Sequence, residues 1–313
     1  MESTPTVSIY VTTYNHENYI ERALDSILMQ KTRYSCEVLV GEDCSTDRTR
    51  EIVKDWERRH PGKFTFFYRE TNTYHTDCPN GLDLKLRCKG KYIVCLEGDD
   101  FWTDPEKLEK QITFLEEHPE YYAVAHNCIV VGEDSLPNGE TYPECKDGEY
   151  TLRHFASEIM PGQLTTFLSR NYMTDPDFDR DLVLGRCGPG DRNIYFSVAC
   201  HGKIHCMQEV MSAYRHITSK GSSYSANYVY GYEKEAAPLR NRIAYAKKLG
   251  HKEGERCASF QFLLHARYAF RIRAIGLSRL WSEFRQVPRW FRFGYWFVKR
   301  DFRRLITHRT PYI

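Results

Sequence analysis

The sequence predicts an α/β fold: a mostly parallel, Rossmann-like sheet flanked by helices, followed by a helical C-terminal extension. Two observations carry this. Over the first 130 residues, short β-branched runs alternate with segments whose apolar residues recur at helical spacing. That is the rhythm of parallel strands joined by crossover helices. From about Tyr232 onward the apolar residues keep a helical period and strand signals cease. A length of 313 residues suits one large domain with an appendage.

Val7 to Val11 is the first strand, and Thr12 to Asn18 after it are mostly polar. Ile20, Ala23, Leu24 and Ile27 mark the first helix. Glu37 to Val40 is a second strand that ends at Gly41-Glu42-Asp43. Ile52, Val53 and Trp56 mark the next helix, with Ser45 or Thr46 as N-cap. Phe64 to Tyr68 and Tyr92 to Leu96 are further strands. Pro105 suits the first turn of a helix that carries Leu108, Ile112 and Leu115 on one face. Residues 132 to 150 read as a loop. Gln163 to Ser169, Lys203 to Met207 and Val210 to Tyr214 are predicted strands, with a helix over Asp191 to Cys200. In the tail, Leu277, Leu280, Trp281 and Phe284 fall at i, i+3, i+4 and i+7, and Trp290, Phe293 and Phe297 continue the pattern beyond Pro288.

Hydrophobic residues make up 41% of the chain and charged residues 27%, a folding composition rather than a disordered one. The net charge of +2 gives no sign of nucleic-acid binding, although the segment from Arg267 to Arg309 is rich in Arg and poor in acids. The 11 cysteines lack Cys-x-x-Cys pairs, which argues against a zinc ribbon. The polar start, Met1 to Pro5, has no signal-peptide pattern, so the expected setting is reducing and cytoplasmic. No run reaches the roughly 20 apolar residues that span a bilayer.

In doubly wound sheets, ligands bind beyond the carboxyl ends of the strands. Three polar clusters stand there: Thr12-Thr13-Tyr14-Asn15, Glu42-Asp43 and Glu97-Gly98-Asp99-Asp100. Adjacent acids at a strand end suit a divalent cation bridging two phosphates, since Mg²⁺ or Mn²⁺ takes one or two carboxylates plus phosphate oxygens. The same acids also fit a solvated turn. A carboxylate at Asp43 can accept the imide N–H of a uracil or thymine ring, whereas Asp47 reads better as a helix cap. Thr12 and Tyr14 can hold a base by hydrogen bonding and stacking, and Asn15 equally fits a cap. Asp191, after Gly188-Pro189-Gly190, is either a helix N-cap or a positioned base for an acceptor hydroxyl. Arg215 and His216 follow Tyr214 at a strand end. They are either a surface basic pair or contacts to a diphosphate and its metal. His201 and His205 have no partner at metal-ligand spacing and read as structural. The tail reads as a packed hairpin or as an anchor lying on an anionic membrane face, ahead of a nucleic-acid surface.

Taken in order, these residues resemble the bacterial family 2 glycosyltransferases with the GT-A fold. The resemblance runs through Val7-Ser8-Ile9-Tyr10-Val11-Thr12-Thr13-Tyr14-Asn15-His16 and Gly41-Glu42-Asp43-Cys44-Ser45-Thr46-Asp47. It continues through Lys89-Gly90-Lys91-Tyr92-Ile93, Glu97 to Pro105 and Lys107-Leu108. It returns at Gly190-Asp191, Gly202-Lys203-Ile204 and Met211-Ser212-Ala213-Tyr214-Arg215, covering about residues 5 to 225. It implies an inverting transfer from a nucleotide diphosphate sugar, with UDP as the expected nucleotide and Mn²⁺ or Mg²⁺ as cofactor. The acceptor would be a glycan or lipid-linked hydroxyl in bacterial surface polysaccharide synthesis. By that analogy Thr12, Tyr14 and Asp43 contact the base, Asp99 the ribose and Asp100 the metal, while Asp191 is the catalytic base. The domain would occupy residues 1–230, with a nucleotide-sugar part over about 1–130 and an acceptor part over about 131–230. Residues 231–313 would be the helical extension. Two positions depart from the family pattern. Gly190 stands where an acid often precedes the base, and His216 follows Arg215 directly instead of one residue later. Two other classes compete. A sugar nucleotidyltransferase would want a glycine-rich loop after the first strand, where this chain has Thr12 to Asn15. A non-catalytic scaffold would have no use for the full acid set.

Overall fold

The computed structural model describes residues 4–176, 190–217, 229–287 and 289–297. These form two compact units, one within residues 4–229 and one from Tyr230 onward. The first begins with β1 (Val7–Thr13), α1 (Ile20–Leu28), β2 (Cys36–Glu42), α2 (Thr49–Arg59), β3 (Thr65–Tyr68), α3 (Asn80–Arg87) and β4 (Tyr92–Glu97). There follow β5 (Phe101–Trp102), α4 (Lys107–Glu117), β6 (Tyr121–Val131), β7 (Glu149–Tyr150) and α5 (Leu152–Ala156). A 3₁₀ turn (Leu164–Thr166), β8 (Leu168–Arg170), α6 (Gly190–His201) and β9 (Lys203–Arg215) complete it.

The strands make one sheet in the order β3-β2-β1-β4-β8-β6-β9-β5, with β7 also on β9. Strands β3, β2, β1 and β4 are mutually parallel, β8 runs against β4 and β6, and β6 and β9 are parallel. Side chains alternate across each strand. Val7, Ile9 and Val11 of β1, with Tyr92, Val94 and Leu96 of β4, therefore face one layer. There they pack in a single core with Leu24 and Ile27 of α1, Trp56 of α2 and Ile112 of α4. The opposite face of β1 and β2 is covered by α3. Register places the site: Thr12 pairs with Gly41 on one side and with Glu97 on the other, so three strand ends reach one edge together.

Several elements differ from their sequence expectations. Ser45 and Thr46 do not cap α2: Ser45 Oγ accepts the Asn15 N–H, while the Asn15 side chain accepts from the Thr46 N–H. Asp47 Oδ1 instead takes the Thr49 N–H at 2.9 Å. Pro105 lies just ahead of α4, not in its first turn. The expected strand over Gln163 to Ser169 is a 3₁₀ turn followed by a short strand. Gln163 explains this, since its side chain takes the Thr165 N–H and its carbonyl takes the Thr166 hydroxyl. The two predicted strands at 203–207 and 210–214 are one strand, β9, whose register against β6 slips near Asn127. Strand β6 and helix α3 had no sequence signal. Tyr121–Val131 is buried through most of its length, so it shows no polar alternation. Asn80-Gly81 reads as a turn, but Asn80 reaches the Gly41 carbonyl through Nδ2 at 2.7 Å and anchors the start of α3.

The second unit contains α7 (Tyr232–Lys248), α8 (Lys252–Arg271), α9 (Leu277–Gln286) and a 3₁₀ turn (Trp290–Phe293). Its interior holds Glu283, fully buried between Arg240 and Arg279. The predicted apolar stripe of α9 is only partly inside: Phe284 is buried, but Leu277 and Trp281 are 68% and 47% exposed. Pro288 and residues 298–309 of the expected tail lie outside the described residues. Among the described residues no helix is long and apolar enough to cross a membrane.

Candidate active site at the strand-end edge

The turn after β1 is built by its own side chains. Asn15 sits in the left-handed region at φ 56°, a conformation asparagine tolerates better than most residues. Its side chain pins the turn after β2, as does the His16 N–H, which donates to Thr49 Oγ1 at 2.7 Å. Asn15 is thus a strut between two loops, while Thr12 and Tyr14 remain half-buried at the edge.

At the end of β2 the two acids divide. Glu42 is 1% exposed and is held by the Ser45 N–H and by Arg50. It is a structural anchor. Asp43 is also buried, and its backbone N–H donates to the Thr13 carbonyl. Its Oδ1 accepts from both the N–H and the hydroxyl of Thr73, at 3.0 and 2.7 Å. Asn72 Nδ2 holds the Asp43 carbonyl as well. The carboxylate is therefore fixed by the loop between β3 and α3, which carries no sequence signal of its own.

The acidic turn after β4 depends on Gly98. A Cβ there would lie 2.7 Å from Thr13 Oγ1 and 2.8 Å from His16 Nδ1. Gly98→Ala is expected to push β1 and β4 apart at the site and cost about 1–3 kcal/mol, typical of an overpacked position. A thermal melt checks this, and an unchanged melting temperature would show that the turn has room. Asp99 is partly exposed and 3.9 Å from His16 Nε2. Asp100 is 2% exposed. Its Oδ1 accepts the Arg215 N–H at 2.8 Å, and its Oδ2 is buried with no hydrogen-bond partner. Burial first, then the charges of Asp99 and Glu97, hold its carboxyl well above the usual range, against the pull of the Arg215 N–H. Burial, with the charges of Asp99 and Asp191, pushes Glu97 up to about 7, and Gln163 Nε2 donates to it at 3.1 Å.

Asp191 opens α6, and its Oδ1 takes the Arg192 N–H at 2.7 Å. Its charge is felt at Glu97, Lys85, Tyr142, Tyr195 and Tyr214. The fold thus brings it within electrostatic reach of Glu97 in the acidic turn, although the two are far apart in the chain. Lys85 of α3 sets its ammonium 5.6 Å from the centre of the Tyr10 ring, where burial lowers it against the opposing pull of the Glu97 and Asp191 charges. It had no sequence signal, because only the sheet places α3 beneath the edge. Arg215 and His216 do not behave alike. Arg215 is turned inward onto backbone carbonyls, whereas His216 Nδ1 pairs with Glu140 Oε2 of the loop after β6 and its ring stacks near Tyr214.

Among the described residues no three His, Cys, Asp or Glu side chains converge to hold a metal by themselves. One buried, unpartnered carboxylate oxygen on Asp100 with Asp99 beside it is a different donor set. It fits a hard cation whose remaining ligands are oxygens of a bound diphosphate.

Carboxylates gathered at the C-terminal edge of parallel strands stand where doubly wound α/β proteins bind their ligands. The chain belongs to glycosyl transferase family 2, whose model matches residues 8–170. It is 32% identical over 215 residues to an uncharacterized protein of Mycobacterium tuberculosis, a match covering 67% of this chain and 58% of that protein. It is 34% identical over 140 residues to the poly(ribitol-phosphate) beta-N-acetylglucosaminyltransferase TarS of Staphylococcus aureus, covering 44% of this chain and 22% of TarS. The chain therefore spans little more than half the length of the first relative. A crystal structure of TarS in complex with UDP-GlcNAc superimposes with a TM-score of 0.62 at 19% identity, over 83% of this chain and 72% of that one. That likeness shows the GT-A fold.

Proposed function

We propose that this chain is an inverting glycosyltransferase that moves a sugar from a UDP-sugar to a hydroxyl of a glycan or lipid-linked acceptor in bacterial surface polysaccharide synthesis. The observation that carries the reading is the meeting of Asp43, Asp99 and Asp100 at one sheet edge, with the Asp191 charge reaching Glu97 of the same acidic turn. Asp43, held by Thr73, presents an acceptor to an imide N–H, while Thr12 and Tyr14 line the base. Asp99 takes the ribose hydroxyls. Asp100 supplies its free oxygen to Mn²⁺ or Mg²⁺, which when bound neutralises the diphosphate. Asp191 accepts the proton of the acceptor hydroxyl as that oxygen attacks the anomeric carbon. The bond from that carbon to the phosphate oxygen breaks on the opposite face, and UDP leaves with the electron pair. His216, tied to Glu140 and next in the chain to Arg215, is a candidate contact to the diphosphate.

Calorimetry with UDP, GDP and CDP, each with Mn²⁺ or with a chelator, tests this. Uracil and guanine carry a ring N–H for Asp43 and cytosine does not. UDP binding that needs Mn²⁺ and exceeds CDP binding by about tenfold, or about 1.4 kcal/mol, is expected. Equal binding of all three would remove Asp43 from base recognition.

The same reading places the chain at the inner face of the cell membrane through its second unit. Between Phe270 and Tyr295 there are six arginines and one acid, and that acid, Glu283, is buried. Phe270, Ile272, Leu277, Trp281, Phe291 and Tyr295 are 40–69% exposed there. Exposed aromatic and aliphatic groups interleaved with Arg suit an anionic lipid surface, where each basic residue contributes about 1 kcal/mol. Vesicles containing phosphatidylglycerol should sediment the protein in a salt-sensitive way, and neutral phosphatidylcholine vesicles should not. Leu277→Ser with Trp281→Ser should lower that binding about tenfold or more without altering transfer to a soluble acceptor. Equal sedimentation with neutral vesicles would sink the electrostatic reading.

A further inference from the structure

Arg215 ends β9 beside the acidic turn, a place that suits a guanidinium facing phosphate. It is 4% exposed, and its donors already have partners. Nε donates to the Asp99 carbonyl at 2.8 Å. One terminal nitrogen donates to the Gly132 and Glu133 carbonyls, the other to Ser135 Oγ at 2.8 Å. The guanidinium lies 3.9 Å over the Tyr19 ring, just ahead of α1. The backbone N–H of the same residue donates to Asp100 Oδ1. One residue therefore ties together the acidic turn, the 132–135 turn after β6 and the entry to α1.

We infer that Arg215 is a positioning residue that shapes the cation-binding oxygen of Asp100 and does not touch the diphosphate. The inference rests on the proposed role of Asp100. Two bonds from Arg215, one from Nε to the Asp99 carbonyl and one from the backbone N–H to Asp100 Oδ1, fix the turn and the carboxylate it carries, so the direction of Asp100 Oδ2 follows from the clasp. Groups that orient a ligand in this way cost about 10–100-fold in metal affinity when removed. The clasp also links the site to the loop over 132–148. Ser135 of that loop binds Arg215, and Glu140 binds His216. Order in that loop and order at Asp100 should therefore change together.

The test compares the full chain with Arg215→Met, and with Ser135→Ala in case the first variant folds poorly. Three measurements are made: UDP and uridine affinity in chelator, the Mn²⁺ concentration that half-restores tight UDP binding, and amide exchange in residues 99–100 and 132–136. Arg215→Met should raise the Mn²⁺ requirement at least about tenfold, leave metal-free UDP affinity within about twofold, and speed exchange in both segments. Ser135→Ala should shift the same readings in the same direction by less. A fall of metal-free UDP affinity with uridine affinity unchanged would mean a direct phosphate contact and overturn the inference. Unchanged exchange in both segments would also overturn it. If the unaltered protein bound UDP without regard to Mn²⁺, the metal reading of Asp100 would fail, while the exchange data would still decide the clasp.

Discussion

Asp100→Asn should abolish Mn²⁺-dependent transfer while making the metal-free protein more stable. The two effects have one cause. Asp100 is buried, one of its oxygens is unpartnered, and two neighbouring acids repel its charge. Its folded-state carboxyl is raised above the ordinary value, so the native state holds the proton more tightly than the unfolded chain. The carboxylate therefore opposes folding increasingly as pH rises from the unfolded value through the folded one. Asparagine still accepts the Arg215 N–H and carries no charge. A gain of about 1 kcal/mol would raise the melting temperature by about 2–4 °C in a domain of this size. The activity loss follows because the cation loses its protein ligand. Several kcal/mol of charge stabilisation at the departing diphosphate corresponds to a fall in kcat of about 10²–10³-fold or more. Melting curves with and without Mn²⁺ and a donor-turnover assay check both halves. Retained turnover would dismiss Asp100 as the ligand, and a lowered melting temperature would mean that its charge is compensated.

Asp191→Asn should lower kcat about 10²–10⁴-fold and leave UDP affinity nearly unchanged, because a general base acts on the acceptor and not on the nucleotide. The variant keeps the shape of the side chain and its oxygen on the Arg192 N–H. Removing the Asp191 charge also relieves one of the groups that raise Glu97, so the Glu97 carboxyl should ionise at lower pH in the variant. Carbon-detected titration of Glu97 reads this independently of activity. Turnover equal to the parent would end the assignment of Asp191 as base. An unmoved Glu97 would mean that the two acids are farther apart in solution than the fold places them.

Much of the candidate site was legible because its polar clusters sit at strand ends. A β-branched run followed by a polar cluster marks both the strand and its candidate binding terminus, so Thr12, Asp43 and the acids after β4 stood out from pattern alone. The strand ends themselves proved adjacent through a register that pairs Thr12 with both Gly41 and Glu97. The residues that were missed act from elements with no alternation or with misleading turn chemistry. Lys85 and Asn80 belong to a helix that opens on Asn-Gly, and Thr73 lies in the loop before it. Gln163 belongs to a stretch whose strand pattern its own side chain overrides.

By itself the sequence determined the four parallel strands of the nucleotide half, the helices after the first two of them, the family, and the acids placed at the strand ends, because periodicity and short-range spacing encode them. Only the tertiary structure decided how those groups divide their work. Glu42 became an anchor for Arg50, and Asp100 kept a free oxygen. Arg215 turned inward to clasp three segments, although next to Tyr214 and His216 it reads like any basic strand end. The physical reason is that hydrogen-bond partners and burial come from residues distant in the chain. The Arg215 clasp reaches 80 to 116 positions for its hydrogen bonds. No local pattern carries that information until the sheet has formed.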